Sequence, residues 1–538
     1  MKRWNGWGEE STTYPLPPSA EKYLADILGP GEPQPDASLE SVLASVPPSR
    51  LQDDHIITTD RLERLRHARG QSLPDWVAMR SGDIVTFPDG VAYPTHDADI
   101  RSLLHAARRS GTYLIPYGGG SSVLGHINPL PSRKPVLCID MGRIGEMIDL
   151  DETSQLATFG AGVSGPALEA QLNPHGYTLG HFPQSFEFST LGGWIATRSS
   201  GQQSYHYGRI EHLFAGGHIE TPIGPLDLPS YPASAAGPDL RQLILGSEGR
   251  MGVITRAEVR IQPLPEVDSF HAVFFNDWES GVRAVREIAQ SEAEVSMLRL
   301  SEARETETTL ALSGKDRLVG FAKRGLGLLG YRAERCLLIL AVTGTTHQAR
   351  RALRLATAIA RANGGLPVGT LIGKMWRKSR FLTPYLRNTL WERGYALDTV
   401  ETAVPWRDVL LTAQAMLGTA RHTLEPMGEN VLAFLHLSHL YRSGASLYLT
   451  FLYRRAGTSE ETLARWQILK EALSETIVAH GGTISHQHGV GIDHIPYLPA
   501  EKGVVGMPVL ESARRTFDPQ GLLNPGKLIG PPWAELPR

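Results

Sequence analysis

Hydrophobic and polar positions change rhythm three times along the chain. In residues 1–83, Pro, Asp and Glu break up short helical patterns such as Leu39–Val46, which Pro47 and Pro48 stop. That texture predicts an irregular arm lying on something larger. From Asp83 the order becomes regular. Residues 84–90, IVTFPDG, read as a strand ending in a turn. Residues 96–111, HDADIRSLLHAARRSG, place apolar side chains at helical spacing behind an acidic first turn and stop at glycine. Residues 112–123, TYLIPYGGGSSV, read as a strand running into glycines. Strand, helix, strand and glycine loop in that order predict a nucleotide-type α/β layout, and short strands with glycine turns continue to about Pro265.

The third rhythm covers roughly residues 266–480. Strand patterns at Phe270–Phe275, Cys336–Thr343 and Ser446–Tyr453 alternate with helical patterns at Trp278–Ser291, Thr346–Asn363 and Thr462–His480. This alternation predicts an antiparallel sheet with helices on one face. After Gly481 the chain is again glycine-rich, then helical, and ends near FDPQGLLNPGK.

Composition narrows the classes. A chain of 538 residues exceeds one ordinary core, so at least two domains are expected. A net charge of -3 gives no electrostatic reason for a nucleic-acid partner. Two cysteines far apart, Cys138 and Cys336, exclude a disulfide framework or a cysteine-rich metal site. The N-terminal residues lack the apolar core of a signal peptide, and no apolar run reaches spanning length. The expectation is a soluble cytoplasmic enzyme.

Three glycine-rich segments carry the candidate chemistry. The first is Pro116, Tyr117, Gly118, Gly119, Gly120, Ser121, Ser122 and Val123. Glycines after a strand allow positive φ, and successive N–H groups turned inward form an anion nest suited to a diphosphate; a tight turn with no ligand is the plain alternative. The second holds Gln184, Ser185, Phe186, Glu187, Phe188, Ser189, Thr190 and Gly193, then Thr197, Arg198, Ser199 and Ser200. The third holds Glu248, Gly249, Arg250, Met251, Gly252, Val253 and Ile254. Each alone is weak. Three in this order within one α/β region suggest backbone wrapped around an extended cofactor.

These segments resemble the flavin-binding pattern of the vanillyl-alcohol-oxidase superfamily, and within it the alkyldihydroxyacetonephosphate synthase family. RWNGWG at residues 3–8, FEFSTLGGW at 186–194 and SHQHGVG at 485–491 carry the resemblance, which runs from Arg3 to about Pro525. It implies an α+β chain: a PCMH-type FAD-binding domain at 84–266, a substrate-binding cap at 267–480 with its antiparallel sheet and helices, and a C-terminal segment 481–538 completing the flavin site. The arm 1–83 would pack on the flavin domain. It also implies non-covalent FAD, and a homodimer is the family's habit.

The implied reaction is a transfer in ether-lipid synthesis. The acyl chain of acyl-dihydroxyacetone phosphate is exchanged for a long-chain alcohol, with flavin N5 as a covalent trap and no net redox change. By position, Tyr448 would move the substrate proton, provided that nearby cations tune its phenol. On its own pattern Tyr448 reads as a half-buried strand tyrosine. His486, His488 and His181 match active-site histidines, while Gln487 stands where the family pattern has a third histidine between the first two. Arg387 matches the residue near the substrate phosphate, and Arg299 a second substrate-binding arginine; an arginine grips phosphate bidentately, although a surface salt bridge is the commoner use. Residues 374–380, KMWRKSR, read as a solvated helix face or an addition to a phosphate funnel. Residues 317–331 are both basic and apolar, which suits a peripheral membrane contact or a buried loop.

Two rivals share the fold. A flavin-dependent 2-hydroxyacid dehydrogenase would carry a histidine metal pair and a third ligand, but the corresponding positions hold Tyr441, Tyr448 and Gln487, so no metal is expected. A metal-free alcohol oxidase stays open. A flavoprotein that binds lipid without turnover would leave Tyr448, His488 and both arginines idle.

Overall fold

The computed structural model describes residues 2–312 and 324–530. Its fold is α+β, built on three main sheets. The first runs Ile57–Thr58, Gly90–Ala92, Val136–Asp140, Tyr113–Tyr117, and its last three strands are parallel. Helix Asp97–Ser110 follows Gly90–Ala92 and returns the chain for Tyr113–Tyr117; its buried Ile100, Leu103, Leu104 and Ala107 are the predicted apolar stripe, and Gly111 closes it with φ 76°. The second sheet is antiparallel, in the order Met147–Asp151, Leu156–Gly160, Val253–Arg260, Phe214–Thr221, Gly224–Leu228.

The third sheet is antiparallel and has seven strands: Leu366–Pro367, Val267–Phe275, Cys336–Gly344, Met297–Ser301, Leu432–Leu440, Gly444–Arg454, Tyr395–Pro405. Alternation along its strands sends Leu300, Leu338, Leu435 and Leu449 to a face covered by helices Trp278–Gln290, Thr346–Ala362, Val409–His422 and Ser459–Ala479. The opposite face carries Phe274, Met297, Ile339, Phe434 and Leu452, and it forms the floor of a large cavity.

Three sequence expectations change. Residues 84–89 form no strand; the strand begins at Gly90. Pro88 offers no N–H to a ladder, and the Asp89 carboxylate is taken by Arg50 and by the Val136 N–H, so Ile84 and Phe87 reach the core through their side chains alone. Residues 2–83 do not pack on residues 84–266 only. Helix Pro18–Leu28 buries Ala20, Leu24 and Leu28 against Leu390, Tyr395, Phe434 and Leu452 of residues 267–480, while Lys2 Nζ donates to the Gly119 carbonyl at 2.6 Å. The helices of residues 267–480 are not confined to one face of their sheet. Helix Leu371–Ser379 lies on the cavity side with Ile372 and Trp376 packed beside Phe270 and Phe274, because its apolar stripe needs the same cover as the others.

Of residues 317–331, those up to 323 lie outside the described residues. In the remainder, Leu326 is buried, whereas Leu328 and Leu329 are 90% and 64% exposed. Among the described residues no helix is long and apolar enough to cross a membrane.

Candidate active site

The cavity, about 1190 Å³, is walled on one side by the glycine segments and floored by the open face of the seven-stranded sheet. All of Pro116–Val123 line it. So do Gln184, Ser185, Ser189, Thr190, Gly193, Thr197, Ser199, Ser200, Glu248, Gly249, Gly252, Val253 and Ile254. Glycine is needed where these segments touch. A Cβ on Gly118 would meet the Thr190 hydroxyl, and one on Gly119 would run into the Phe188 carbonyl. The C-terminal segment locks the third glycine run. Glu248, at φ 52°, accepts from the N–H groups of Val490 at 2.6 Å and Gly491 at 2.9 Å, and Asn524 Nδ2 donates to its carbonyl.

Six residues expected to hold the cofactor do not line this cavity. Phe186 stacks on Phe381 at 5.0 Å, Phe188 sits edge-on to Trp7, and Glu187 bonds Tyr385. Arg198 caps helix Leu191–Thr197 and reaches Gln242. Arg250 donates to the Leu523 carbonyl at 2.5 Å, and Met251 is buried in the core of the second sheet.

The cradle fits an extended, polyanionic cofactor. Its wall is backbone and small hydroxyls, and Gly120 takes φ 73° at the turn. Gly119→Ala is expected to cost FAD, because the new methyl and the Phe188 carbonyl cannot share one position. Flavin absorbance per polypeptide and the melting temperature measure this; stoichiometric FAD with an unchanged melting temperature would contradict it.

The catalytic candidates meet on the floor. Strand register sets Glu401, Tyr448 and His436 side by side across three strands, and Ser301 extends the row. Tyr448 stacks on His436 at 5.0 Å and meets His488 edge-on at 5.6 Å, while its hydroxyl donates to Thr399 Oγ1 at 3.2 Å. Burial pushes its phenol up, and the Thr399 bond and Arg387 pull only partly against it. The expected tuning by cations is therefore outweighed, and Tyr448 rests as a phenol. His488 lines the cavity and is kept neutral by burial, beside the buried Glu401 carboxylate, which accepts from the backbone N–H groups of Gln487 and His488.

Arg387 is buried over the Trp76 ring at 4.4 Å and donates Nη1 to the Gln71 carbonyl at 2.5 Å. Its Nε and Nη2 have no partner among the described residues, and burial brings its pKa down to about 10, against the pull of Asp398 and Asp75. Arg299 differs. Its Nη1 donates to Ser301 and its Nη2 to Glu305 at 2.6 Å, so a carboxylate of the chain already holds it.

Two expected catalytic histidines stand behind the wall. His181 packs on Trp194 and bonds Ser199, which does line the cavity; burial takes its pKa down to about 3. His486 Nε2 lies 2.6 Å from the Tyr441 hydroxyl and 2.7 Å from Arg209 Nη1, and its ring stacks on His439. Both are placed to position other groups. Residues 374–380 are less solvated than expected: Trp376, Lys378 and Arg380 line the cavity, with Arg380 over Phe381 at 4.6 Å and bonded to Gln203.

Comparison with known proteins agrees with this architecture. Residues 88–225 match a family described as "FAD binding domain", and residues 264–528 match "FAD linked oxidases, C-terminal domain". An alkyldihydroxyacetonephosphate synthase of Trypanosoma brucei brucei is 29% identical over 99% of this chain and 93% of its own length. One from Dictyostelium discoideum is 29% identical over 98% and 93%. A solved alkyldihydroxyacetonephosphate synthase superposes with a TM-score of 0.85 at 27% identity, covering 98% of this chain and 99% of that one. The chain is an FAD-dependent enzyme, similar over nearly its whole length to alkyldihydroxyacetonephosphate synthases.

FAD is the cofactor, and the glycine wall offers the backbone and small hydroxyls that an extended cofactor needs. Glu305 and His436 line the cavity, and Glu401 and Arg209 hold the 486–488 turn behind it; the sequence singles out none of Glu305, Glu401 and Arg209, and places His436 only near, and out of register with, a metal pair. The signal for His436 was present, since Leu435 and Leu437 alternate with it, but two strands of the row, 395–405 and 432–440, were not recognised. Among the described residues no group of three or more His, Cys, Asp or Glu side chains is placed to hold a metal ion.

Proposed function

We propose that this synthase-like enzyme exchanges the acyl chain of acyl-dihydroxyacetone phosphate for a long-chain alcohol, with non-covalently held FAD and no net redox change. The observation that carries the reading is the joint lining of one cavity by the glycine wall, by Arg387 with two unpartnered buried N–H positions, and by apolar side chains such as Leu390, Leu397 and Leu452. A phosphate accepts what Arg387 still offers, and alkyl chains lie on the apolar floor.

The flavin, when bound, supplies an electron-rich ring nitrogen able to hold the substrate carbon during the exchange. Around it, Arg387 fixes the phosphate and Tyr448, resting as a phenol, moves a proton at its Oη. His488 and Gln487 present neutral polar groups beside them. Buried Glu401 orients that turn through two backbone N–H bonds.

The reading is tested by supplying palmitoyl-dihydroxyacetone phosphate and hexadecanol to the FAD-loaded enzyme. Palmitate should appear in step with an alkyl product and no oxygen should be consumed; oxygen uptake matching product would favour an oxidase. D-lactate and D-2-hydroxyglutarate are expected to leave the flavin oxidised. Tyr441 and Tyr448 stand where a metal-binding histidine pair would be needed, and Tyr441 is already bonded to His486. Rapid anaerobic bleaching by either acid would point to the dehydrogenase instead.

A further inference from the structure

Helix Ala303–Leu312 follows strand Met297–Ser301 directly and brings Glu305 against the row of floor residues. Glu305 Oε1 accepts from Arg299 Nη2 at 2.6 Å and lies 2.9 Å from His436 Nδ1. Burial opposes ionisation of this carboxyl, but Arg299 and His436 hold it down to about 2. A carboxylate oxygen and a bare nitrogen lone pair repel at 2.9 Å, so the proton sits on Nδ1, which donates to Glu305. Arg299 Nη2 also directs an N–H toward Nδ1, at 3.2 Å, but the Glu305 carboxylate is nearer, at 2.9 Å, and the proton on Nδ1 serves that shorter, charge-assisted contact.

A neutral imidazole protonated at Nδ1 carries its lone pair on Nε2. His436 lines the cavity, and among the described residues its Nε2 has no hydrogen-bond partner. The groups around the ring are Arg299 and Glu305, Tyr448 from the neighbouring strand and His439 farther along its own. Burial, then Arg299, keeps the imidazole neutral despite Glu305. Tyr448 beside it rests as a phenol, which can give a proton but not take one as it stands, so the alcohol's proton needs a different acceptor.

We propose that Glu305 and His436 form a proton-transfer dyad, with His436 Nε2 the base that takes the hydroxyl proton of the incoming long-chain alcohol. The assignment of that proton rests on the transferase reading. The alcohol O–H bond breaks and its proton goes to Nε2. Its electron pair stays on oxygen and becomes the new ether C–O bond. The acyl group departs as a carboxylate with the electron pair of the old C–O bond. The imidazolium, steadied by Glu305, returns its proton to water. Arg299 is a positioning residue here, holding Glu305 ionised rather than binding phosphate.

The test uses FAD-loaded enzyme and the variants His436→Gln and Glu305→Gln. His436→Gln should cut alkyl-product formation by about 10²–10⁴-fold, and should slow single-turnover release of palmitate from palmitoyl-dihydroxyacetone phosphate, without alcohol, by much less. Glu305→Gln should fall between the two. Full alkyl transfer by His436→Gln, or equal loss of both steps, overturns the assignment. Nitrogen NMR of the histidine-labelled native enzyme, assigned by difference with His436→Gln, is independent of substrate. A single Nδ1–H tautomer, lost in Glu305→Gln, supports the dyad, and an Nε2–H or mixed signal overturns it. Native enzyme inactive on this substrate pair would sink the transferase reading and leave the tautomer to judge the dyad alone.

Discussion

Tyr448→Phe is expected to fold, hold FAD and lose about 10²–10⁴-fold of its turnover. The change removes one oxygen and keeps the ring, so the stack on His436 and the edge contact with His488 survive. The lost bond to Thr399 is long, at 3.2 Å, and costs at most about 1 kcal/mol. A purely structural tyrosine would show the reverse: a lower melting temperature and an unchanged rate per folded enzyme. Single-turnover rate and thermal melt on one preparation separate the two. Full activity in the variant removes Tyr448 from the mechanism.

Arg387→Ala is expected to weaken the phosphate-bearing substrate by at least roughly tenfold, since losing one side of a buried charged pair costs about 2–5 kcal/mol. The same change should hardly disturb the empty protein. Arg387 has one bond, to the Gln71 carbonyl, while Nε and Nη2 are buried unpartnered. Removing an uncompensated buried charge offsets the lost packing on Trp76. Titration with the substrate and a melt of the substrate-free protein measure both. Unchanged affinity together with a large drop in melting temperature would make Arg387 a structural residue. Arg299→Ala should behave in the opposite way, because Glu305 is the partner it abandons.

The two arginines show what the pattern of residues could and could not reveal. Both are charged side chains beside apolar neighbours, and nothing in their local sequence separates them. The difference comes from helix Ala303–Leu312, which brings Glu305 to Arg299, whereas only a carbonyl reaches Arg387. The glycine segments were legible because few other arrangements need so many small residues. Within them, a turn rather than strand alternation decides which side chains face inward: the Arg250 N–H closes onto the Ser247 carbonyl, and Arg250 and Met251 point away although Gly249 and Gly252 line the cavity. Long helices such as Thr346–Ala362 were legible to within a residue, since one apolar stripe of alanines must be buried.

The floor was the least legible part. Strand Leu432–Leu440 is rich in leucine on its covered face and reads equally as a buried helix. Glu401, inside strand Tyr395–Pro405, contradicts ordinary strand preferences and makes sense only with the turn it orients. Polar residues forced onto a buried sheet face are where local rules fail at a functional site.

The exchange itself is tested most directly with hexadecanol labelled with heavy oxygen. FAD-loaded enzyme, palmitoyl-dihydroxyacetone phosphate and the labelled alcohol are mixed, and the lipid products are weighed by mass spectrometry. The account predicts an alkyl ether that keeps the alcohol's heavy oxygen, and palmitate carrying none of it. Palmitate esterified to the labelled alcohol, or hexadecanal with reduced flavin and no ether, would contradict it.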